Sequence, residues 1–376
     1  MLVFQIILGL LILVVLIVIH ELGHAIVARR NGVVVEEFGI GFPPKAWGKK
    51  LKNGVLFTLN WLPLGGFVKL KGEHDSANKK GDYGAATLWQ KTKILLAGVL
   101  INWLFAVILL TILAVTGLPK ILPNQFTVAS DTTEINQPVE ITNLLEGYPA
   151  ADAGFQVGDK ILAVEDKTVT SGAELIEATK ESRGETVTLT YERDGQSAEK
   201  DVTLRDSEEM VFGAGLGQRS LIRSTWSAPI VGVGTTLQFT WVTFEGIGKL
   251  LANLATGLVM QLGNEESRQQ ADEKLASVSQ SVAGPVGILG TIFPAAESAG
   301  ITQLVFLTAI ISLSLAVMNA LPIPALDGGR WFVTVLFRLL KKPLTKEREE
   351  TIQGAGFLVL MGLIIVITIA DVTKLL

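Results

Sequence analysis

The chain contains no cysteine. That excludes a disulfide framework, a thiolate zinc site and a cysteine nucleophile. Histidine is scarce too. His20, His24 and His74 are the only three in 376 residues, so any metal site must draw on these and on carboxylates. Charged residues make up 18% of the chain, below the roughly 25% of an ordinary soluble domain, and the hydrophobic share is 49%. The net charge of −4 offers no basic surface for nucleic acid. No internal repeat or low-complexity tract is evident.

What the sequence does have is long apolar runs. Four of them, at about 3–27, 94–115, 301–320 and 355–369, are candidate spans, a bilayer crossing taking roughly 20 mostly apolar residues. The first lacks a basic leader and a small-residue cleavage site, so it reads as a retained span rather than a signal peptide. Lysine and arginine cluster after the first run (Arg29, Arg30, Lys49, Lys50) and between the third and fourth (Arg330, Arg338, Lys341, Lys342). The positive-inside rule puts both stretches in the cytoplasm and both termini outside.

The apolar segment 228–248 complicates this count. If it crossed, the third run would reverse and the basic stretch at 330–348 would lie outside. It is therefore expected to lie on the membrane or dip into it, within an interfacial region spanning 208–300. The polar stretch NEESRQQADEK (264–274) reads as an external surface loop. Residues 125–207 have soluble character, with short alternating strands broken by turns. TVTLTYERDGQSAEKDVTL predicts a hairpin around Asp194-Gly195, and a helix fits 172–181. The expected layout is a membrane domain at 1–124, an extracytoplasmic α/β domain at 125–207, the interfacial region, and the last two spans at 301–376.

Inside the first apolar run stands His20-Glu21-Leu22-Gly23-His24, an H-E-x-x-H pattern. On a helix the two imidazoles, four residues apart, share one face and can hold one zinc, with Glu21 beside them as general base. In a soluble chain such a short pattern arises often by chance. Within a membrane helix each ionisable group costs about 2.5–3.5 kcal/mol, a cost that metal binding offsets. A catalytic zinc needs a third protein ligand. His74 sits in a polar loop where solvation accounts for it. Asp327, in NALPIPALDGGR at the inner end of the third run, has a compatible depth, and Pro322 and Pro324 break the helix there. The plainer alternative is that Asp327 only caps the helix that follows.

HELGH (20–24) and NALPIPALDGG (319–329), with FGIGFPP (38–44), LPLGGFVKLKGE (62–73), AGVLIN (97–102) and GPVGI (284–288), resemble the site-2 proteases. These are intramembrane zinc metalloproteases, and the nearest resemblance is to the regulator of sigma-E protease type. It runs through almost the whole chain. It implies a polytopic α-helical membrane protein with four transmembrane helices and an inserted α/β PDZ-like domain, of which the length leaves room for one. It also implies one Zn2+ per chain on His20, His24 and Asp327, with Glu21 as base. Asn319 matches an asparagine placed near the substrate. Asn102 matches a second-span asparagine without an assigned role, and Val99 stands where relatives usually carry proline.

The activity implied is peptide-bond hydrolysis in or near the transmembrane segments of single-span membrane proteins, such as anti-sigma factors or remnant signal peptides. The implied location is the bacterial inner membrane, with the site toward the cytoplasm. VLFTLNWLPLGGFVKLKG, with Gly65-Gly66 as a turn, either offers an edge strand to an unwound substrate or shields the site as a hairpin. The PDZ-like domain either filters substrates by size or grips a peptide C-terminus. A metal transporter would show polar residues at several depths, and an aspartyl protease would need a second aspartate closer than Asp371.

Overall fold

The computed structural model describes residues 2–262 and 264–375. The chain opens with helix α1 (Leu2–Arg30), strands β1 (Val35–Lys50) and β2 (Leu56–Leu70), and helix α2 (Leu88–Thr116). An inserted region follows with β3 (Val139–Leu144), β4 (Lys160–Val164), α3 (Gly172–Glu181), β5 (Thr186–Arg193), β6 (Gln196–Thr203) and β7 (Ala214–Gly217). Then come α4 (Ala228–Met260), α5 (Glu265–Ser281), α6 (Ile301–Ala320), α7 (Asp327–Leu339) and α8 (Lys346–Leu375). Two compact units result, one of residues 1–112 with 232–376 and one of 113–231.

Among the described residues, α1, α2, α6 and α8 are long and apolar enough to cross a membrane. In α1 the usual inside-out pattern of soluble helices is reversed. Leu2, Phe4, Ile7 and Leu11 are exposed, whereas His20 and His24 are buried. Polar groups at membrane depth turn toward protein because lipid offers them no partner. Arg29 and Arg30 end the helix, where cations also favour the negative end of the helix dipole.

The stretch 228–248 lies within one unbroken 33-residue helix, α4, which is not among the four candidate spans. The expected loop at 264–274 is instead the start of helix α5. Asn264 caps it by accepting a hydrogen bond from the Ser267 N–H. Fully buried Ala271 and half-buried Leu275, whose side chain lies against Gly257, give α5 an apolar face that a composition dominated by polar residues concealed.

Strands β1 and β2 each fold back on themselves. Residues 45–50 pair with 56–60, these pair with 35–40, and 35–40 pair in turn with 66–70. This places 66–70 at one edge of a four-segment sheet. The tight turn lies at 51–54, with Gly54 at φ +87°, and not at Gly65-Gly66 as the sequence suggested. Those two glycines sit inside β2. Gly65 adopts φ +104° with the Phe42 ring so close that a Cβ would fall 2.5 Å from it. A bend, and not a reversal, is what the glycines permit there.

In the inserted unit the strands run β7-β3-β4-β5-β6. Helix α3 spans 172–181 as the sequence predicted, capped by Ser171. The β5–β6 hairpin closes through Asp194 (φ +52°) and Gly195 (φ +78°), both in the left-handed region a two-residue turn requires. Val139, Ile141, Ile161, Leu175 and Leu189 form its core. Strand β7 lies beyond 207 and still joins this sheet by pairing with β3. Its Gly-rich sequence, AGLG, carries no alternation by which a strand is read.

Candidate metal centre

Three chain segments meet at the H-E-x-x-H face. Helix α1 brings His20 and His24, both buried, one turn apart. The α6–α7 junction brings Asp327. Leu321 leaves the helix in extended conformation, Ala325 takes φ +79°, and Asp327 begins α7. The glycines after it are required by packing. A Cβ on Gly329 would lie 1.9 Å from the Ile323 carbonyl oxygen, and one on Gly328 would lie 2.3 Å from that of Ala320. The turn therefore folds tightly onto itself and aims Asp327 back at α1. Its carboxylate does not cap α7, whose N-cap residue, Leu326, makes no side-chain cap.

The atoms that could hold a metal nearly touch. Nε2 of His20 lies 3.0 Å from Oδ2 of Asp327, Nε2 of His24 lies 3.2 Å from the same oxygen, and the two Nε2 atoms are 3.2 Å apart. A tetrahedral ion with bonds of about 2.0–2.1 Å sets its ligand atoms roughly 3.3 Å apart, so this triangle has the size zinc needs. The donor set of two imidazoles and one carboxylate also suits zinc. It is the one cluster of this kind found among the described residues.

Helix α2 forms the wall behind the triangle. Ile94, Gly98 and Asn102 follow one another at i, i+4 and i+8 on one face. The Nδ1–H of His24 donates to the Ile94 carbonyl oxygen at 2.8 Å. This fixes the tautomer and leaves Nε2 free as a ligand. Gly98 faces the centre itself. A Cβ there would stand 2.5 Å from Nε2 of His24 and 2.6 Å from Nε2 of His20. Gly23 on α1 allows the approach, since a Cβ on it would lie 2.7 Å from the Ala97 carbonyl oxygen. Neither Ile94 nor Gly98 was singled out from the sequence. The four-residue spacing from Ile94 to Asn102 was the available signal.

Glu21, His24 and Asp327 open onto a cavity of about 900 Å3, also lined by residues 67–70 of β2 and by Arg330 and Glu349. Gly66 lies against α1, and a Cβ on it would stand 3.5 Å from the Glu21 side chain. The expected substrate residues fare differently. Asn102 is fully buried beside His20 and is not among the cavity-lining residues, so direct substrate contact is not what its position offers. Asn319 donates to the Leu315 carbonyl oxygen of its own helix at 3.0 Å. His74 lines the cavity but pairs with Ser76, and Asp371 accepts from the Gly287 N–H, away from the centre.

A charged clamp closes one side of the cavity. Arg330, one turn after Asp327, reaches Glu73 at 2.8 Å and Glu349 at 3.1 Å, and lies 4.9 Å from the Tyr83 ring centre. Burial opposes its charge, yet Tyr83, Glu73 and Glu349 together hold the guanidinium above its ordinary pKa. Glu349 also accepts from the Asp75 N–H at 2.8 Å, and the Asp75 carboxylate pairs with fully buried Lys91. Loop 71–84, α2, α7 and α8 are thereby tied together around the site.

The Peptidase family M50 model matches residues 8–363. A Clostridium perfringens protein, provisionally named a zinc metalloprotease, is 30% identical over 98% of this chain and 98% of its own. The regulator of sigma-W protease RasP from Bacillus subtilis is 25% identical over 96% of each chain. A solved PDZ domain of the SdrC-like protein from Listeria monocytogenes matches 21% of this chain and 86% of its own at 23% identity. Its TM-score of 0.19 carries no argument about the fold. The family match over residues 8–363, the apolar helices and the His-His-Asp triangle converge: the chain belongs to peptidase family M50, the site-2 proteases, and is a zinc metalloprotease of multi-pass membrane architecture.

Proposed function

We propose that the protein hydrolyses peptide bonds within or near the transmembrane segments of membrane proteins, with His20, His24 and Asp327 holding one zinc and Glu21 as general base. The observation that carries this reading is the triangle of ligand atoms 3.0–3.2 Å apart, two of them on a helix long and apolar enough to cross a membrane. Bound there, zinc supplies Lewis acidity, polarising a carbonyl and acidifying a water molecule. Glu21, one residue from His20 and open to the cavity, takes the proton of the attacking water and returns it to the leaving amide nitrogen. Proton and bond then balance: a C–O bond forms, the C–N bond breaks, and Glu21 ends as a carboxylate.

A transmembrane helix hides its carbonyls in hydrogen bonds and must unwind before cleavage. Residues 66–70 pair with 35–40 on one side, form an edge of their sheet, and line the cavity beside Glu21. An extended substrate segment added to that edge keeps its backbone hydrogen bonds satisfied while a carbonyl is presented. The register of charges supports a site toward the cytoplasm of a bacterial membrane, with Arg29 and Arg30 at the inner end of α1. The inserted unit then faces outside, where it selects substrates by size or by a free C-terminus. A substrate of the anti-sigma kind fits the name of the Bacillus subtilis relative, a regulator of sigma-W protease.

The test is zinc content and chelator-sensitive cleavage of a synthetic transmembrane peptide by the purified full chain. Wild type should carry about one zinc and Asp327→Asn a small fraction of that. Equal zinc in both would overturn the ligand set.

A further inference from the structure

Asn102 has an anomaly that the reaction itself does not use. Its side chain is fully buried in α2, and its Oδ1 has no hydrogen-bond partner among the described residues. Its Nδ2 instead faces Nδ1 of His20 at 3.4 Å. The backbone is firmly held, since the Asn102 carbonyl oxygen accepts from the Ser312 hydroxyl at 2.9 Å. A buried acceptor left unpaired costs about 1–3 kcal/mol, so a fully enclosed orphan oxygen beside a metal ligand calls for an explanation.

We propose that Asn102 is the positioning residue of His20: its Oδ1 accepts the Nδ1–H of that imidazole and so fixes the tautomer that leaves Nε2 free for zinc. A neutral imidazole carries its proton on one nitrogen only. With Nε2 directed at Asp327 and His24 as a ligand, the proton belongs on Nδ1. Nδ1–H facing an amide NH2 would set donor against donor. A half-turn of the terminal amide exchanges Oδ1 and Nδ2 in nearly the same space, which brings the orphan oxygen onto the ring proton.

The other ligand supplies the parallel. His24 already donates Nδ1–H to an oxygen of α2, the Ile94 carbonyl, at 2.8 Å. Both histidines would then be oriented by oxygens from one face of one helix, with Gly98 between them giving the centre its room. Histidine ligands generally need such an acceptor, and losing it costs about 10–100-fold in metal affinity.

This inference rests on the zinc reading of His20, His24 and Asp327, and the experiment separates the two. Zinc affinity of the full chain in lipid nanodiscs is measured by chelator competition, without reference to proteolysis. His20→Ala should lose the high-affinity site, and if it does not, the ligand assignment fails. Given that loss, Asn102→Leu is expected to weaken zinc about 10–100-fold. Asn102→Asp, which offers only acceptor oxygens, is expected to stay within about threefold of wild type, well inside the loss set by a missing acceptor. Leu binding zinc as wild type does, or Asp losing as much as Leu, overturns the proposal, the latter because it would mean packing or the amide donor matters instead. If Asn102→Leu does not fold, the Asp variant alone still decides between acceptor and donor.

Discussion

A Cβ added to Gly98 would stand 2.5 Å from Nε2 of His24, closer than real Cβ contacts come. The glycine leaves room for the two histidine rings and is not required by the helix, in which glycine is destabilising by about 1 kcal/mol relative to alanine. Gly98→Ala is therefore expected to keep the helix and displace the ligands. Zinc affinity should fall at least about tenfold, as for other disturbances of a ligand's surroundings. Metal content measured beside helical content by circular dichroism checks this, and undiminished zinc would refute the close approach.

Glu21→Gln keeps the shape of the side chain and removes the base. Zinc content should stay at wild type, since Glu21 is not in the His-His-Asp cluster. Cleavage of a transmembrane peptide should drop about 10^2–10^4-fold, the usual contribution of a positioned general base. A variant that cleaves at the wild-type rate would remove Glu21 from the mechanism.

Gly65 holds φ +104° with the Phe42 ring against it. Gly65→Ala combines an unfavourable backbone with a collision, a local strain of about 1–3 kcal/mol. The edge at 66–70 should shift away from Glu21. The expected result is slower cleavage with unaltered zinc, read from initial rates and metal analysis on the same preparation. Loss of zinc together with activity would show that the strand supports the metal centre directly.

Arg330 joins Glu73 on the loop to Glu349 at the start of α8. Arg330→Ala leaves Glu349, only 4% exposed, without its charge partner. Removing one member of such a buried pair costs about 3–5 kcal/mol. Hydrogen exchange in 71–84 and in the first turns of α8 should rise. Arg330→Lys should recover part of the protection, because a point charge cannot reach both carboxylates as a planar fork does. Unchanged exchange in Arg330→Ala would contradict the clamp.

In the inserted unit, the Asp159 side chain is 1% exposed and held by Arg193 at 2.7 and 2.6 Å. Burial alone would raise its pKa, but the Arg193 hydrogen bonds and the Gln156 N–H outweigh that and lower it. A depressed folded value means the pair's stabilisation is complete above the ordinary carboxylate pKa of about 3.9 and is lost as pH falls through the lower folded value. Exchange protection of β4 and β5 should therefore hold at pH 5 and weaken in stronger acid. Asp159→Asn should flatten that dependence, and an equally steep acid loss in the variant would assign it to other carboxylates.

Much of this molecule is legible from local pattern. Apolar run length marked the four candidate spans, because bilayer thickness sets a length that composition reports directly. The β5–β6 hairpin was readable at Asp194-Gly195, where two left-handed residues are needed and few residue types supply them. The pair His20 and His24 was readable because helical spacing alone puts i and i+4 on one face. Helix α5 was missed because its apolar face is narrow, and β7 because glycines carry no alternation. The double folding of β1 and β2 was missed because register across a bend depends on which segments meet, and nothing local records that.

The sequence by itself determined which groups are available for chemistry: two imidazoles, one nearby carboxylate, and an aspartate held in a turn by prolines and glycines. Only the tertiary structure decided that Asp327 faces the histidines instead of capping α7, that Gly98 leaves space at their Nε2 atoms, and that Asn102 lies behind His20. The physical reason is range. Helical periodicity acts over four residues and is written into the chain. Meeting across 307 positions depends on packing between helices, where the bulk of one missing Cβ sets the approach.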